Sequence, residues 1–453
     1  MNGKNSINML SGRLLWPTVK FALPLIATGF LQQSFNSADA LIVGRYCPSS
    51  ALAAVGSNGP IVNLIITLFM GLGVGVNVVI ASYVGRRDSE GVRRAVATTG
   101  IVALASGLIL TVSGIFASRW LLRALGTPED VVDGATTYLE IFFLGMPFIM
   151  VYNFGAAVLR SIGDTARPFY ILIAGCATNI LCDYYFTASL GMGVAGVAIG
   201  TVIGVCVNAS LIVFIMMRDK GDIRLEPRKM RLYKREFRNI VKIGLPAGVQ
   251  GLVFSLSNVF ILSSINSFGS AASAGSAAAL NFEIYCYYLV VGFVQATVAF
   301  TSQNYAAGNA DRCRSIFRLN LLLSCLLCGI FNILIVINKE FFIGLFTNDV
   351  SVTPFAYDRL TIVLLMQFVA CSYEVSGGAM RAMGYSMTPT ILTIFGTCVF
   401  RLLWVFFLPT FNGGFRELMA IYPITWIITG LSVVIAYYIV RKRAFRHLKS
   451  QTV

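Results

Sequence analysis

Apolar segments of about 20 residues recur along the whole chain, and no other feature restricts its fold as strongly. A helix of that length crosses a hydrocarbon layer of roughly 30 Å with its backbone hydrogen bonds satisfied internally. Charged residues make up only 12% of the 453-residue sequence. We therefore predict an all-α polytopic membrane protein with twelve transmembrane helices, at residues 17–43, 53–83, 95–117, 135–158, 167–189, 193–217, 240–266, 275–303, 316–337, 355–379, 388–410 and 417–440.

Short motifs return after 221 or 222 residues, which indicates a duplicated six-helix unit. Three pairs of fragments carry the repeat: VLRSIGDTARP at 158–168 and AMRAMGYSMTP at 379–389, KFALP at 20–24 and KIGLP at 242–246, and Tyr83 and Tyr305. Because six is an even number, both copies enter the membrane from the same side and form a parallel repeat. We interpret the doubled turn as a short cytoplasmic hairpin, in which Gly163 and Gly384 reverse the chain.

The repeat predicts two pseudo-symmetric six-helix bundles that face each other across a cleft. We place an N-terminal lobe at 1–217, a basic cytoplasmic linker at 218–239, and a C-terminal lobe with a basic tail at 240–453. The N-terminus has no short apolar core followed by a cleavage site, and its first apolar segment is too long for a signal peptide, so we expect nothing to be removed.

The distribution of the positive charge predicts the orientation. Net charge is +15, but 28 of the 35 Lys and Arg residues lie at loops that are cytoplasmic if both termini are cytoplasmic. Six lie at the outer side, Arg45, Arg119, Arg123, Lys339, Arg359 and Arg416, and Arg401 lies within a span. This positive-inside bias favours a plasma (inner) membrane protein with both termini inside. The basic linker and tail are expected to contact membrane lipids, not nucleic acid.

Polar residues inside the first lobe predict an ion site. Asp39 and Asp183 both precede outer turns by a similar number of residues, and Asn179 lies one helical turn from Asp183. Thr201 reaches the same depth from the opposite direction, and Asn36 lies one turn before Asp39. These oxygens suit Na⁺, while two close carboxylates in a low dielectric suit a proton. The alternative is a hydrogen-bond network that only locks the helices together.

The second lobe lacks this pair, because the position 222 residues after Asp39 is Ile261. It carries Glu283 and Glu374 instead, which are candidates for coupling or for cargo binding. Arg401 is the expected partner of one of them, in which case the pair is a packing device. Tyr288 belongs to an aromatic run, with Tyr285, Tyr287 and nearby Phe282, that would stack on flat cations or fill a core.

Several motifs together resemble the multidrug and toxic compound extrusion (MATE) family: LPLIATGFLQQSFNSADALIVGR, AAVG, YVGRRDSEGVRRA, LRSIGDTARP, NILCDYYF with GVAGVAIGT, and MRAMGYSMTP. The similarity extends from about residue 13 to residue 440, closest to its bacterial DinF-type and NorM branches. It implies an antiporter that expels small organic, mostly cationic compounds in exchange for Na⁺ or H⁺. It also implies that Asp39, Asn179, Asp183 and Thr201 form the cation or proton site.

Other functions fit the residues less well. A lipid-linked oligosaccharide flippase of the same superfamily should need several basic groups deep in the cleft, and Arg401 is the one basic residue predicted well inside. A membrane enzyme should show a catalytic His or metal ligands, whereas the sole histidine, His447, lies in the tail. No segment resembles a channel filter. We expect no cofactor beyond the coupling ion, and a monomer.

Overall fold

The computed structural model describes residues 7–46, 49–124, 127, 129–407 and 413–451, and these residues form helices without any β-strand. The α-helices are α1 Leu15–Tyr46, α2 Ser49–Gly85, α3 Ser89–Ala124, α4 Glu129–Leu144, α5 Met146–Ser161, α6 Ala166–Asp183, α7 Gly193–Arg218, α8 Lys234–Asn266, α9 Ser270–Ala306, α10 Ala310–Ile337, α11 Lys339–Gly344, α12 Thr353–Arg359, α13 Ala370–Ala382, α14 Met387–Thr393, α15 Phe400–Phe407 and α16 Phe415–Gln451.

The helices account for the twelve predicted spans. In the described part of the chain, ten helical segments are long and apolar enough to cross a membrane, and the pair α4 and α5, bent by 48°, makes an eleventh. Helix α1 is the twelfth, with 32 residues, and polar residues such as Gln32 and Gln33 lower its hydropathy. The prediction of a twelve-helix, all-α membrane protein is confirmed.

The doubled turn has the same geometry in both halves. In the first copy Gly163 has a φ of +93°, and the Asp164 amide donates to the Leu159 carbonyl at 3.0 Å. In the second copy Gly384 has a φ of +89°, and the Tyr385 amide reaches back five residues in the same way at 2.9 Å. This is the Schellman ending of a helix, which requires a left-handed residue after the last turn.

The chain forms two compact units. Each unit contains the beginning of one helix whose remainder belongs to the other unit. The first unit comprises Met1–Asn8 and Ala27–Gly248, and the second comprises Met9–Ile26 and Val249–Val453. The predicted lobes, divided at the linker, differ from these units in two places: the linker and the start of α8 pack in the first unit, and the start of α1 packs in the second. Both divisions fall two residues after a proline, Pro24 in α1 and Pro246 in α8.

Glycines hold the start of α8 in the first unit. Gly71 and Gly75 of α2 meet Gly244 and Gly248 of α8, four residues apart on each helix. A Cβ at Gly71 would lie 2.2 Å from the Gly248 nitrogen, and a Cβ at Gly248 would lie 2.1 Å from the Leu68 carbonyl oxygen. The two backbones therefore touch, as in the close GxxxG packing of membrane helices.

A single arginine holds the segment before α1 in the second unit. Arg312 of α10 donates from Nε to the Met9 carbonyl at 3.0 Å, from Nη1 to the Gly12 carbonyl at 2.9 Å and from Nη2 to the Ser11 carbonyl at 2.9 Å. The Asn304 amide also donates to the Met9 carbonyl, at 3.0 Å. These bonds fix where α1 begins.

The linker is attached to the beginning of α3. Asp222 accepts hydrogen bonds from the Ser89 hydroxyl at 2.8 Å and from Arg93 Nη2 at 3.2 Å. Further along, the Tyr233 amide donates to Thr98 Oγ1 at 3.2 Å. The linker is thus an ordered part of the first unit.

Candidate ion-binding site

Two carboxylates meet inside the first unit. Asp183 is the last residue of α6, just before a π-helical turn at Tyr184–Ser189, and it is fully buried. Asp39 belongs to the part of α1 that packs in the same unit. The two side chains lie within hydrogen-bonding reach of each other, and Asp183 also faces the amide of Asn179. The predicted convergence of these three side chains is present.

The buried oxygens of this cluster lack donors. Among the described residues, neither Asp183 oxygen, nor Asp39 Oδ1, nor Asn179 Nδ2 completes a hydrogen bond. Buried polar groups are nearly always satisfied, and charges buried in a membrane are costly unless compensated. Two adjacent carboxylates can share a proton, or can hold a cation between them. The described residues bring together no three His, Cys, Asp or Glu side chains, so any ion here would also need neutral ligands.

Thr201 of α7 and Tyr138 of α4 extend the cluster. The Thr201 hydroxyl donates to the Val197 carbonyl at 3.0 Å, which leaves its lone pairs for another partner. The Tyr138 hydroxyl lies beside Thr201 and close to both Asp39 and Asp183. The sequence analysis missed Tyr138, although its position near the outer start of the predicted span 135–158 was a usable signal. This phenol adds a neutral oxygen to the cluster.

Glycines on α7 make room for the acidic helix α6. A Cβ at Gly200 would lie 1.9 Å from Asp183 Oδ1, and a Cβ at Gly204 would lie 2.8 Å from Asn179 Cβ. Both glycines were overlooked in the sequence, although the motif GVAGVAIGT and the residues after it place glycines at 196, 200 and 204, all on one helical face. The position of Asp183 thus depends on a residue without a side chain.

Asn36 belongs to α1, but its side chain lies outside the described residues. Its role in lining the site stays a prediction.

In the second unit Glu283 of α9 is bound by Arg359 of α12, not by Arg401. Arg359 Nε donates to Glu283 Oε1 at 2.6 Å and Nη2 to Oε2 at 2.9 Å, while Nη1 donates to the Ser276 hydroxyl. Arg359 is 3% exposed and is thus a buried partner of Glu283. The expected pairing was wrong because Arg359 lies on the helix that packs against α9. Glu283 is therefore a packing residue in this structure.

Glu374 of α13 also has a partner other than Arg401. The Tyr287 hydroxyl donates to Glu374 Oε1 at 3.2 Å, and Arg381 on the same helix interacts with Glu374 electrostatically. Arg381 itself donates from Nη2 to Gln250 Oε1 at 2.7 Å. Tyr288 is half-buried on α9 and lies next to Tyr285, so its predicted contact with cargo stays a prediction.

Arg401 of α15 is buried to 1% exposure among neutral groups. Its Nε donates to Thr425 Oγ1 and its Nη1 to Asn258 Oδ1, both at 3.3 Å. The guanidinium lies 4.5 Å from the ring centroid of Tyr422. Arg359 and Arg381 are also buried in the protein, near the two ends of the helical segment Thr353–Ala382.

Comparisons with known proteins identify the family. A family model described as MatE matches residues 24–185 and 246–407, one segment in each half of the chain. The probable multidrug resistance protein YoeA of Bacillus subtilis (strain 168) is 27% identical over 382 residues, which cover 83% of this chain and 82% of that protein.

Two solved structures share the fold over nearly their whole length. One is a MOP superfamily transporter from Pyrococcus furiosus, with a TM-score of 0.89, 22% identity and coverage of 98% of this chain and 99% of that chain. The other is a multidrug resistance MATE family transporter in its outward-facing conformation, with a TM-score of 0.87, 23% identity and coverage of 99% and 100%. The family model matches both halves of the chain, and the described helices account for the twelve predicted spans of a duplicated architecture. This chain therefore belongs to the MatE family, the multidrug and toxic compound extrusion transporters that its motifs resemble.

Proposed function

We propose that this protein is a secondary active antiporter that exports organic, mostly cationic compounds in exchange for Na⁺ or H⁺. The observation that carries the proposal is the Asp39 and Asp183 pair, whose buried oxygens find no donor in the described part of the chain. Family membership and the name of the relative YoeA support drug export. The bias of basic residues supports a plasma-membrane location with both termini in the cytoplasm.

The coupling follows from the charge of the pair. When Na⁺ or H⁺ binds from outside, the two carboxylates are neutralised and the cost of burying them falls. When the ion leaves toward the cytoplasm, the pair regains negative charge and favours an organic cation. Alternating access then moves ion and cargo in opposite directions. A shift of a two-state equilibrium from 1:99 to 99:1 needs about 5.5 kcal/mol of discrimination, which is within the range for changing the burial of a carboxylate charge.

Helix α1 provides a route from the ion to the rest of the protein. Asp39 lies in the part of α1 that packs in the first unit, and the beginning of the same helix packs in the second. Pro24, just before the division, removes one backbone hydrogen bond and allows the helix to bend there. Neutralising Asp39 therefore changes the packing of a helix that belongs to both units.

The test is transport in proteoliposomes with a sodium gradient and a proton gradient imposed separately and ethidium as cargo. We expect the parent to respond to at least one gradient, and Asp39→Asn and Asp183→Asn to lose that response. Asp133→Asn is the matched control, because Asp133 is an exposed acid in the same unit that bridges to Arg119 at 3.0 Å. Unimpaired gradient-driven transport by Asp39→Asn under both conditions would refute the assignment.

The lipid-linked oligosaccharide flippase remains the second candidate, since the second unit buries three arginines and not one. Arg359 is neutralised by Glu283, and Arg381 has Glu374 nearby. Among the buried arginines in the described part of the second unit, that leaves Arg401 to meet a diphosphate, which carries at least two negative charges. The balance of charge thus favours a cargo without a diphosphate.

A further inference from the structure

In the second half of the chain, the positions equivalent to the ion site hold a second polar cluster. The two family segments start at residues 24 and 246 and end at residues 185 and 407, which fixes an offset of 222 at both ends. The π-helical turn at Ile394–Val399 accommodates the extra residue that separates this offset from the 221 of the doubled turn. The equivalent pairs within these segments are Asn36 and Asn258, Asp39 and Ile261, and Asn179 and Arg401.

The polarity of the cluster is inverted between the halves. The Asp39 position is apolar in the second half, and the Asn179 position is the cation Arg401. The ring centroid of Tyr422 lies 4.5 Å from the Arg401 guanidinium. A shared scaffold thus holds two carboxylates in one half and an arginine against an aromatic ring in the other.

Arg401 has no counter-ion among the described residues. Its two hydrogen bonds go to the neutral oxygens of Thr425 and Asn258, and its buried Nη2 has no partner in the described chain. The Glu283 carboxylate, which interacts with Arg401 electrostatically, is already bound by Arg359 through both oxygens. A buried cation without a counter-charge is expensive, and in transmembrane segments such residues mark paths for charged ligands.

We propose that Arg401 is a specificity-determining residue that binds the carboxylate of an aromatic cargo. This inference rests on the proposed export function and names the residue that recognises a negative group on the cargo. The unpartnered Nη2 is a charge-assisted donor for one carboxylate oxygen. The rings of Tyr422 and Phe254, at 4.5 and 5.3 Å from the guanidinium, offer an apolar, stacking surface that suits an aromatic acid better than a small hydrated anion. Asn258, which accepts a hydrogen bond from Arg401, is exposed on α8.

Two dyes that differ by one methyl ester test the charge requirement. Rhodamine 110 carries a free carboxylate, and rhodamine 123 is its methyl ester and a pure cation. Fluorescence polarisation with the purified full-length protein measures the Kd of each dye, and proteoliposomes measure its transport. We expect the parent to bind and transport both dyes.

Three variants distinguish the loss of the Arg401 site from a general loss of folding. Arg401→Gln removes the charge, Arg401→Lys keeps it, and Asn258→Asp places a carboxylate against Arg401 without removing any arginine. We expect Arg401→Gln and Asn258→Asp to weaken rhodamine 110 binding about tenfold or more and not to weaken that of rhodamine 123, while Arg401→Lys retains part of the binding. Arg416→Gln, which removes an exposed arginine from α16, is the control and should change neither dye.

The outcomes separate this proposal from the export function. Equal binding of rhodamine 110 to the parent and to a folded Arg401→Gln or Asn258→Asp would overturn it, as would equal losses for both dyes or a parent that binds only the ester. Failure of the parent to transport either dye would count against the export function instead. Rhodamine 110 binding that still depended on Arg401 would support the anion site in that case too.

Discussion

At the scale of single residues, the position of Asp183 depends on the absence of a side chain at Gly200. A methyl group there would lie 1.9 Å from Asp183 Oδ1, so Gly200→Ala must displace the carboxylate. We expect gradient-driven transport to fall about tenfold or more, in line with overpacking costs of about 1–3 kcal/mol. Gly73→Ala is the control, because a Cβ at Gly73 meets nothing within 4 Å. Equal transport by the two variants would show that the Asp183 position is unimportant.

We expect the ion pair of Glu283 and Arg359 to contribute to the stability of the fold and not to the coupling between ion and cargo. Glu283→Leu leaves the buried Arg359 charge uncompensated and should lower the free energy of unfolding by about 3–5 kcal/mol. Glu283→Leu with Arg359→Met should recover most of that loss. Unfolding of the detergent-solubilised protein measures both. A stable Glu283→Leu variant that had lost only its response to the ion gradient would instead make Glu283 a coupling residue.

The two carboxylates of the ion site were predictable from the sequence, whereas Tyr138 and Gly200 were not. Asp39 and Asp183 were identified because a carboxylate in an apolar segment is rare whatever its surroundings. Tyr138 and Gly200 were missed, because a tyrosine or glycine in such a segment is ordinary until its neighbours are known. The partner of Glu283 was misassigned, because pairing between helices depends on their rotation, which a single sequence does not reveal.

At the scale of helices, Pro24 and Pro246 lie at equivalent places, two residues before α1 and α8 pass from one unit to the other. Pro24→Ala restores a backbone hydrogen bond and should stiffen α1. We expect a slower transport rate with unchanged Na⁺ or H⁺ dependence, and the same direction of effect for Pro246→Ala. Rates measured against cargo and ion concentration separate the two parameters. A change in ion affinity with an unchanged transport rate would contradict the role of these prolines as hinges.

Because Arg312 holds the segment before α1 by hydrogen bonds, its removal should let this segment open locally. Arg312→Ala removes three hydrogen bonds to the carbonyls of Met9, Ser11 and Gly12. Hydrogen exchange followed by mass spectrometry should show faster exchange in residues 7–14. Arg314→Ala is the control, since Arg314 bridges the exposed Asp311 on the same helix. Unchanged protection in the Arg312 variant would mean that packing, not the arginine, holds the segment.

The helices themselves were predicted well, because length and hydropathy are enough to identify a span. The π-helical turns at Tyr184–Ser189 and Ile394–Val399 and the bend between α4 and α5 were not, since they arise from packing and carry no strong residue signal. The exchange of the starts of α1 and α8 was also missed. Contacts between backbone glycines, such as Gly71 and Gly248, decide it.

At the scale of the whole molecule, the duplication keeps the architecture and changes the charge. Both halves end their fourth span in the same glycine turn, and both begin their first helix in the other unit. The first half holds the adjacent carboxylates Asp39 and Asp183, whereas the second holds Arg401, which has no counter-ion among the described residues. The sequence analysis recognised part of this difference between the halves: it noted that Ile261 occupies the position equivalent to Asp39. It did not recognise that Arg401 occupies the position equivalent to Asn179.

The central claim is that cargo and coupling ion exclude each other through the Asp39 and Asp183 pair. Addition of ethidium to the purified full-length protein in weakly buffered detergent, followed by a pH-sensitive dye and by a sodium electrode, tests it most directly. We predict that the parent releases protons or Na⁺ as ethidium binds, and that the double variant Asp39→Asn, Asp183→Asn releases neither while Asp133→Asn behaves as the parent. The same release from the double variant would contradict the claim.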